Sequence, residues 1–102
     1  MAVQLKTFDK NVTTAGTRVR LSDSDLWTRE VVIQAKDNTD DLYVGGDDVS
    51  SSNGLILQPL KSFTISDLLL KGTNEQFNLK DVWIDSVVNG DGVRVLYVDR
   101  DP

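Results

Sequence analysis

The residues in this 102-residue chain best placed to do chemistry are its clustered aspartates: Asp37, Asp40 and Asp41, then Asp47 and Asp48, then Asp99 and Asp101. Asp37-Asn38-Thr39-Asp40-Asp41 begins like a calcium loop, with oxygen ligands at alternate positions. Its sixth position, however, is Leu42 where the sharp turn needs glycine, and its twelfth is Asp48 rather than a bidentate glutamate, which excludes an EF-hand. Paired carboxylates could also hydrolyse a glycosidic bond if they stood about 5–10 Å apart across a cleft. Asp47 and Asp48 are sequence neighbours that point apart, Asp85 falls on the polar phase of a strand and is expected to be exposed, and the only glutamates are Glu30 and Glu75. The expectation is therefore that the aspartates form turns and keep sheet edges soluble, with no catalytic group, metal or cofactor.

Two other absences narrow the chemistry further. The chain has neither cysteine nor histidine, so it has no thiolate and no disulfide framework, and it lacks the commonest general base at neutral pH. Trp27 and Trp83 offer flat aromatic faces that could stack on sugar rings, pack at the rim of a core, or anchor a protein interface. A net charge of −5 and a pI near 4.5 disfavour nucleic acid, whose phosphates are held by clustered cations. Arg18 and Arg20 are the nearest approach to a basic patch and are expected on a solvated face. No run approaches the ~20 apolar residues of a membrane helix, and MAVQLKTFDK has no apolar signal region. Synthesis and folding in a cytoplasm are expected, as a complete small gene product starting at Met1.

The elements that must position these groups are strands. At 39% hydrophobic and 26% charged residues the chain is expected to fold as one globular domain. Alternation of period two marks Val19 and Leu21 against Arg18 and Arg20, and Val31, Ile33 and Ala35 against Val32 and Gln34. It continues with Leu42 and Val44 against Tyr43, then Leu55 to Leu57, then Phe63 and Ile65 against Ser62 and Thr64. Val3 and Leu5 share a face near the start, and Ser22 to Asp25 is a turn or a single helical turn. Ser66-Asp67 could cap a short helical turn through Leu68-Leu69-Leu70, closed by Gly72, and Gly72 to Lys80 reads as too polar for a core element. Asn89-Gly90-Asp91-Gly92 is a strong hairpin signal, predicting that Val82–Val88 pairs with Val93–Val98. Val93, Val95 and Tyr97 alternate with Arg94, Leu96 and Val98, so this strand is apolar on both sides and should lie centrally or at an interface. The strand spacing predicts an all-β fold: an antiparallel, jelly-roll-like sandwich of about eight short strands.

Several blocks in this order resemble a known group. VTTAGTRVRL (Val12–Leu21), VVIQA (Val31–Ala35), LYVGG (Leu42–Gly46), VSSSNGLILQP (Val49–Pro59) and WID…NGDGVRVLYV (Trp83–Val98) are similar to small virion structural proteins of tailed bacteriophages. The resemblance covers roughly residues 11–98, and departs in Leu68–Lys80, which is longer than expected between the flanking strands. It implies a β-sandwich without catalytic activity, located in the virion as a capsid decoration protein, head-fibre component or tail module.

Function is accordingly expected to be binding. The expected partner is the major capsid protein or another virion protein, contacted through Trp83, Tyr43 and the loop Asp47, Asp48, Ser50, Ser51, Ser52 and Asn53. Glycines flank that loop and its serine hydroxyls can bond nearby backbone, giving a compact presented shape. Surplus apolar surface on Val93–Val98 implies a homo-oligomer, a trimer being favoured, with no nucleic acid and no membrane partner. The alternative is a glycan-binding or adhesin module using Trp27 or Trp83. A small trimeric enzyme finds no supporting motif.

Overall fold

The computed structural model describes residues 3–65 and 76–100. The suggested Ser66-Asp67 cap and Leu68–Leu70 turn lie outside the described residues. Among the described residues ten strands follow in chain order: β1 (Val3–Asn11), β2 (Val19–Arg20), β3 (Trp27–Thr28), β4 (Val31–Ala35), β5 (Leu42–Gly45), β6 (Leu55–Leu57), β7 (Ser62–Ile65), β8 (Phe77–Asn78), β9 (Trp83–Ser86) and β10 (Gly92–Arg100). They form one four-stranded sheet, β1-β10-β4-β7 (sheet A), another, β2-β9-β5-β6 (sheet B), and the small pair β3-β8. Every pairing is antiparallel. Four of the pairings nest, β1 with β10, β2 with β9, β4 with β7 and β5 with β6, while β10 with β4 and β5 with β9 complete the two sheets.

The alternation read from the residues sets which side chains go inside. Val31, Ile33 and Ala35 of β4 are fully buried, as are Leu42 of β5 and Ile84 of β9, while Gln34 is exposed. In register, Ile33 opposes Val95 on one side and Phe63 on the other, so sheet A presents a continuous apolar inner face. It packs on Leu42, Val44, Leu57 and Ile84 of sheet B in one core. Full burial of each such side chain stabilises the fold by about 1.5–3 kcal/mol. No buried side-chain polar atom among the described residues lacks a hydrogen-bond partner, as a well-packed interior requires.

Three expectations are corrected. Asn89–Gly92 does not join a hairpin: β9 belongs to sheet B and β10 to sheet A, so the turn carries the chain from one sheet to the other. The turn chemistry was right and the partner wrong, because β10 pairs instead with β1 and β4. The described end of Gly72–Lys80 does contribute to the core: Leu79 is fully buried, in a short 3-10 turn at Leu79–Asp81, and Phe77 packs against the same cluster. Asp85 is 4% exposed rather than solvated. Arg18 is exposed and Arg20 half-buried, and the guanidinium groups of both also lie over Trp83. Residues 22–25 form a turn, fixed by the Ser22 hydroxyl accepting from Ser24 N–H and donating to Ser24 C=O.

Candidate functional site

The side chains singled out from the residues converge on sheet B. Trp83 opposes Arg20 of β2 on one side and Gly45 of β5 on the other. Tyr43 opposes Asp85 and Ile56 in the same way. Because strand side chains alternate, Trp83, Tyr43, Ile56 and Arg20 share the outer face of sheet B, while Ile84, Val44 and Leu42 face the core. Ile56 is 64% exposed, and Trp83 and Tyr43 are half-buried. Residues 46–54 connect β5 to β6, so the anticipated loop is the tip of a hairpin belonging to this sheet.

Trp83 is held rather than merely displayed. The Arg20 guanidinium lies 5.0 Å, and that of Arg18 5.6 Å, from the indole centroid. Cation–π contacts at such partly exposed sites contribute about 0.5–1 kcal/mol each. Their consequence here is to fix one orientation of the indole before any partner arrives. Trp27, by contrast, is 54% exposed on the short β3.

The hairpin tip is similarly closed on itself. Ser50 and Asn53 exchange backbone hydrogen bonds of 2.8 and 3.1 Å. The Asn53 amide donates to Asp48 C=O at 3.1 Å, and Ser52 N–H donates to the Ser50 hydroxyl at 3.3 Å. Val49 is 2% exposed yet stands apart from the main core. It packs against Gly45 and Gly54, and a Cβ at Gly54 would lie 2.7 Å from its Cγ2. Gly54 also has φ = 147°, a conformation that L side chains rarely adopt. Since Gly45 shares the face of Trp83, the tip folds back over that face and leaves Asp47, Asp48, Ser51, Ser52 and Asn53 exposed, with Ser50 half-buried.

Two aspartates, Asp85 and Asp91, anchor neighbouring loops. Asp85 Oδ1 accepts from Gly16 N–H (3.0 Å) and Ser86 N–H (2.8 Å), pinning the preceding loop to sheet B. The two carboxylate oxygens of Asp91 accept from Thr39 and Asp40 N–H, each at 3.2 Å. Asn38 completes this lock, its amide donating to Gly92 C=O and accepting from Gly92 N–H, both at 3.0 Å. These are turn-forming duties, and no group of three acidic side chains among the described residues could hold a metal. Chelator is accordingly expected to leave the melting temperature unchanged. A rise of several degrees with added calcium would show instead that the native state binds it.

Two hollows flank the site. One, of about 740 Å³, opens between β6 and β7 over Val44, Leu55, Phe63 and Ile65 and is largely apolar. The other, of about 570 Å³, lies at the Trp83 end of sheet B and is lined by polar side chains, including Asp25, Lys80 and Asp81. Those three are residues that reading the sequence did not single out. Only the position of Asn78 ahead of the 3-10 turn could have pointed to them, as a cap whose side chain accepts from Lys80 N–H. No helix among the described residues is long and apolar enough to cross a membrane. Comparison with protein families, curated proteins and solved structures finds no match to this chain.

Proposed function

We propose that this protein is a non-enzymatic structural component of a phage virion, a decoration protein that docks on an assembled capsid through the outer face of sheet B. The observation that carries this reading is the preorganised surface itself: an indole clamped by two arginines beside a self-bonded hairpin tip. Binding costs the ordering of side chains and loops, and here both are ordered in advance. Tryptophan is also the residue type most enriched at interface hot spots. The nested strand pairing supports the reading at the level of architecture. We read it as jelly-roll-like, an architecture that recurs in viral capsid and lectin domains.

Docking across neighbouring capsid subunits would stabilise the shell by mass action. Each copy needs only modest affinity when many equivalent sites act together. The purified protein is expected to co-sediment with undecorated capsids of its parent phage, with mild dependence on salt because its charges are dispersed. A protein that ignores capsids would sink this reading.

Self-association would use the opposite layer. Leu5 opposes Val98, and Leu96 opposes Val32, on the outer face of sheet A. Leu5 is 68% exposed and Leu96 38%. A second copy is the fitting cover for this row, since β10 is central in its sheet and its outward apolar residues serve no interior. Light scattering is expected to show an oligomer, a trimer being favoured, with Leu5→Asp shifting it toward the 11.3 kDa monomer. A monomer at all concentrations would remove the idea.

A further inference from the structure

We infer that the polar cleft at the Trp83 end of sheet B is a binding site for a neutral saccharide. This goes beyond docking on a shell and does not depend on it. The cleft, of about 570 Å³, lies within the roughly 300–1,000 Å³ typical of small-molecule sites. Its lining combines an indole, Trp83, with acceptor-only carboxylates, Asp25, Asp47 and Asp81, and donor-only cations, Arg20 and Lys80.

That combination selects a chemistry. A sugar hydroxyl both donates and accepts, so it can bridge a carboxylate and a cation standing side by side. The sugar's C–H groups can also pack on the part of the Trp83 side chain that lines the cleft and is not covered by the two guanidinium groups. A phosphate, which only accepts, would meet three carboxylates, and an ammonium group, which only donates, would meet two cations. An apolar ligand would strip water from all five charged groups without replacing their hydrogen bonds. A metal is disfavoured by the absence, among the described residues, of any group of three suitable ligands.

The site is also built before ligand arrives. Asn78 is 7% exposed, and its Oδ1 accepts from Leu26 N–H and Lys80 N–H, both at 3.0 Å. Its Nδ2 donates to Asp25 Oδ1 at 3.0 Å, and Asp25 stands 3.9 Å from the Lys80 ammonium. One buried amide thus fixes a carboxylate and the backbone beneath a cation at one wall, and the arginine clamp fixes the indole at another. Such preorganisation reduces the entropy lost on binding.

The test uses the full chain carrying Trp27→Phe, which leaves Trp83 as the only indole. Its emission is followed during titration with neutral disaccharides (maltose, cellobiose, lactose, mannobiose and chitobiose), with sialyllactose and glucosamine as anionic and cationic comparators. At least one neutral disaccharide is expected to give a saturable change with a Kd on the order of 1 mM. Asp47→Ala and Asp81→Ala, both at exposed positions, are each expected to weaken it by about tenfold, the equivalent of one ordinary polar contact. No saturable response, a response that survives both substitutions, or tighter binding of either charged comparator would overturn the inference. Capsid co-sedimentation is scored separately, so failure of one activity leaves the other to be judged by its own result.

Discussion

Gly92→Ala is expected to lower the melting temperature by roughly 10–20 °C, corresponding to about 3 kcal/mol in a domain of this size. Gly92 opens β10 directly opposite Asn11 of β1. A Cβ there would overlap the backbone oxygen of Lys10 and the Asn11 side chain and Cα, and backbone cannot swing away as a flexible side chain could. On its other side Gly92 is bonded through both N–H and C=O to the Asn38 amide, and its C=O also accepts from Lys36 N–H at 3.0 Å. Relief on one side therefore breaks bonds on the other. Gly90→Ala is the control: a Cβ at Gly90 meets nothing, and only its φ of 89° opposes the substitution, at a cost of about 1–2 kcal/mol. Thermal denaturation of both variants checks this. If Gly92→Ala melts no lower than Gly90→Ala, the close approach of β1 is not what requires glycine.

Trp83→Ala is expected to weaken capsid co-sedimentation far more than Trp27→Ala. Truncating an interface tryptophan costs on the order of 2 kcal/mol or more per site, roughly a thirtyfold loss of affinity, and multivalent display enlarges the effect on the sedimented fraction. Trp83 is outside the core cluster, so its truncation is expected to preserve the fold, which circular dichroism would verify. The difference between the two tryptophans comes from their surroundings. The clamped indole of Trp83 has little freedom left to lose, whereas Trp27 is more than half exposed on a two-residue strand. Equal retention by both variants, or greater loss with Trp27→Ala, would falsify the placement of the docking surface on sheet B.

Periodicity made the inner face readable and left the partners unreadable. Val31, Ile33 and Ala35 were grouped on one strand face by alternation alone, and that face is the buried one. Asn89–Gly92 shows the limit. A turn motif reports local backbone preference, but whether the strands on either side pair depends on register with β1, β4 and β5, far away in the chain. Asp85 failed for a related reason. Its phase on β9 was read correctly, yet the loop it bonds through Gly16 lies 69 residues earlier in sequence. Trp83, Tyr43 and the 46–54 tip could be gathered from residue type and turn composition. The arginine clamp could not, since Arg18 and Arg20 declare a face of β2 but not the strand beside it. Leu79 was masked by its polar neighbours, as a single apolar residue in a 3-10 turn carries no period.

The position of β10 also dictates when the molecule can fold. It is the last described strand in chain order, yet it lies between β1 and β4 and holds both. Until it is made, sheet A has no middle, and β1 and β4 are each an open edge awaiting a partner. Closing the first strand onto the last is among the most non-local contacts a chain can make, and such topologies fold in milliseconds to seconds rather than microseconds. Sheet A is therefore completed only once β10 has been synthesised, with exposed strand edges in the interval. The Lys6 and Lys10 charges on the inner side of β1, opposite Tyr97 and Val93, are well placed to discourage a wrong strand from docking there first.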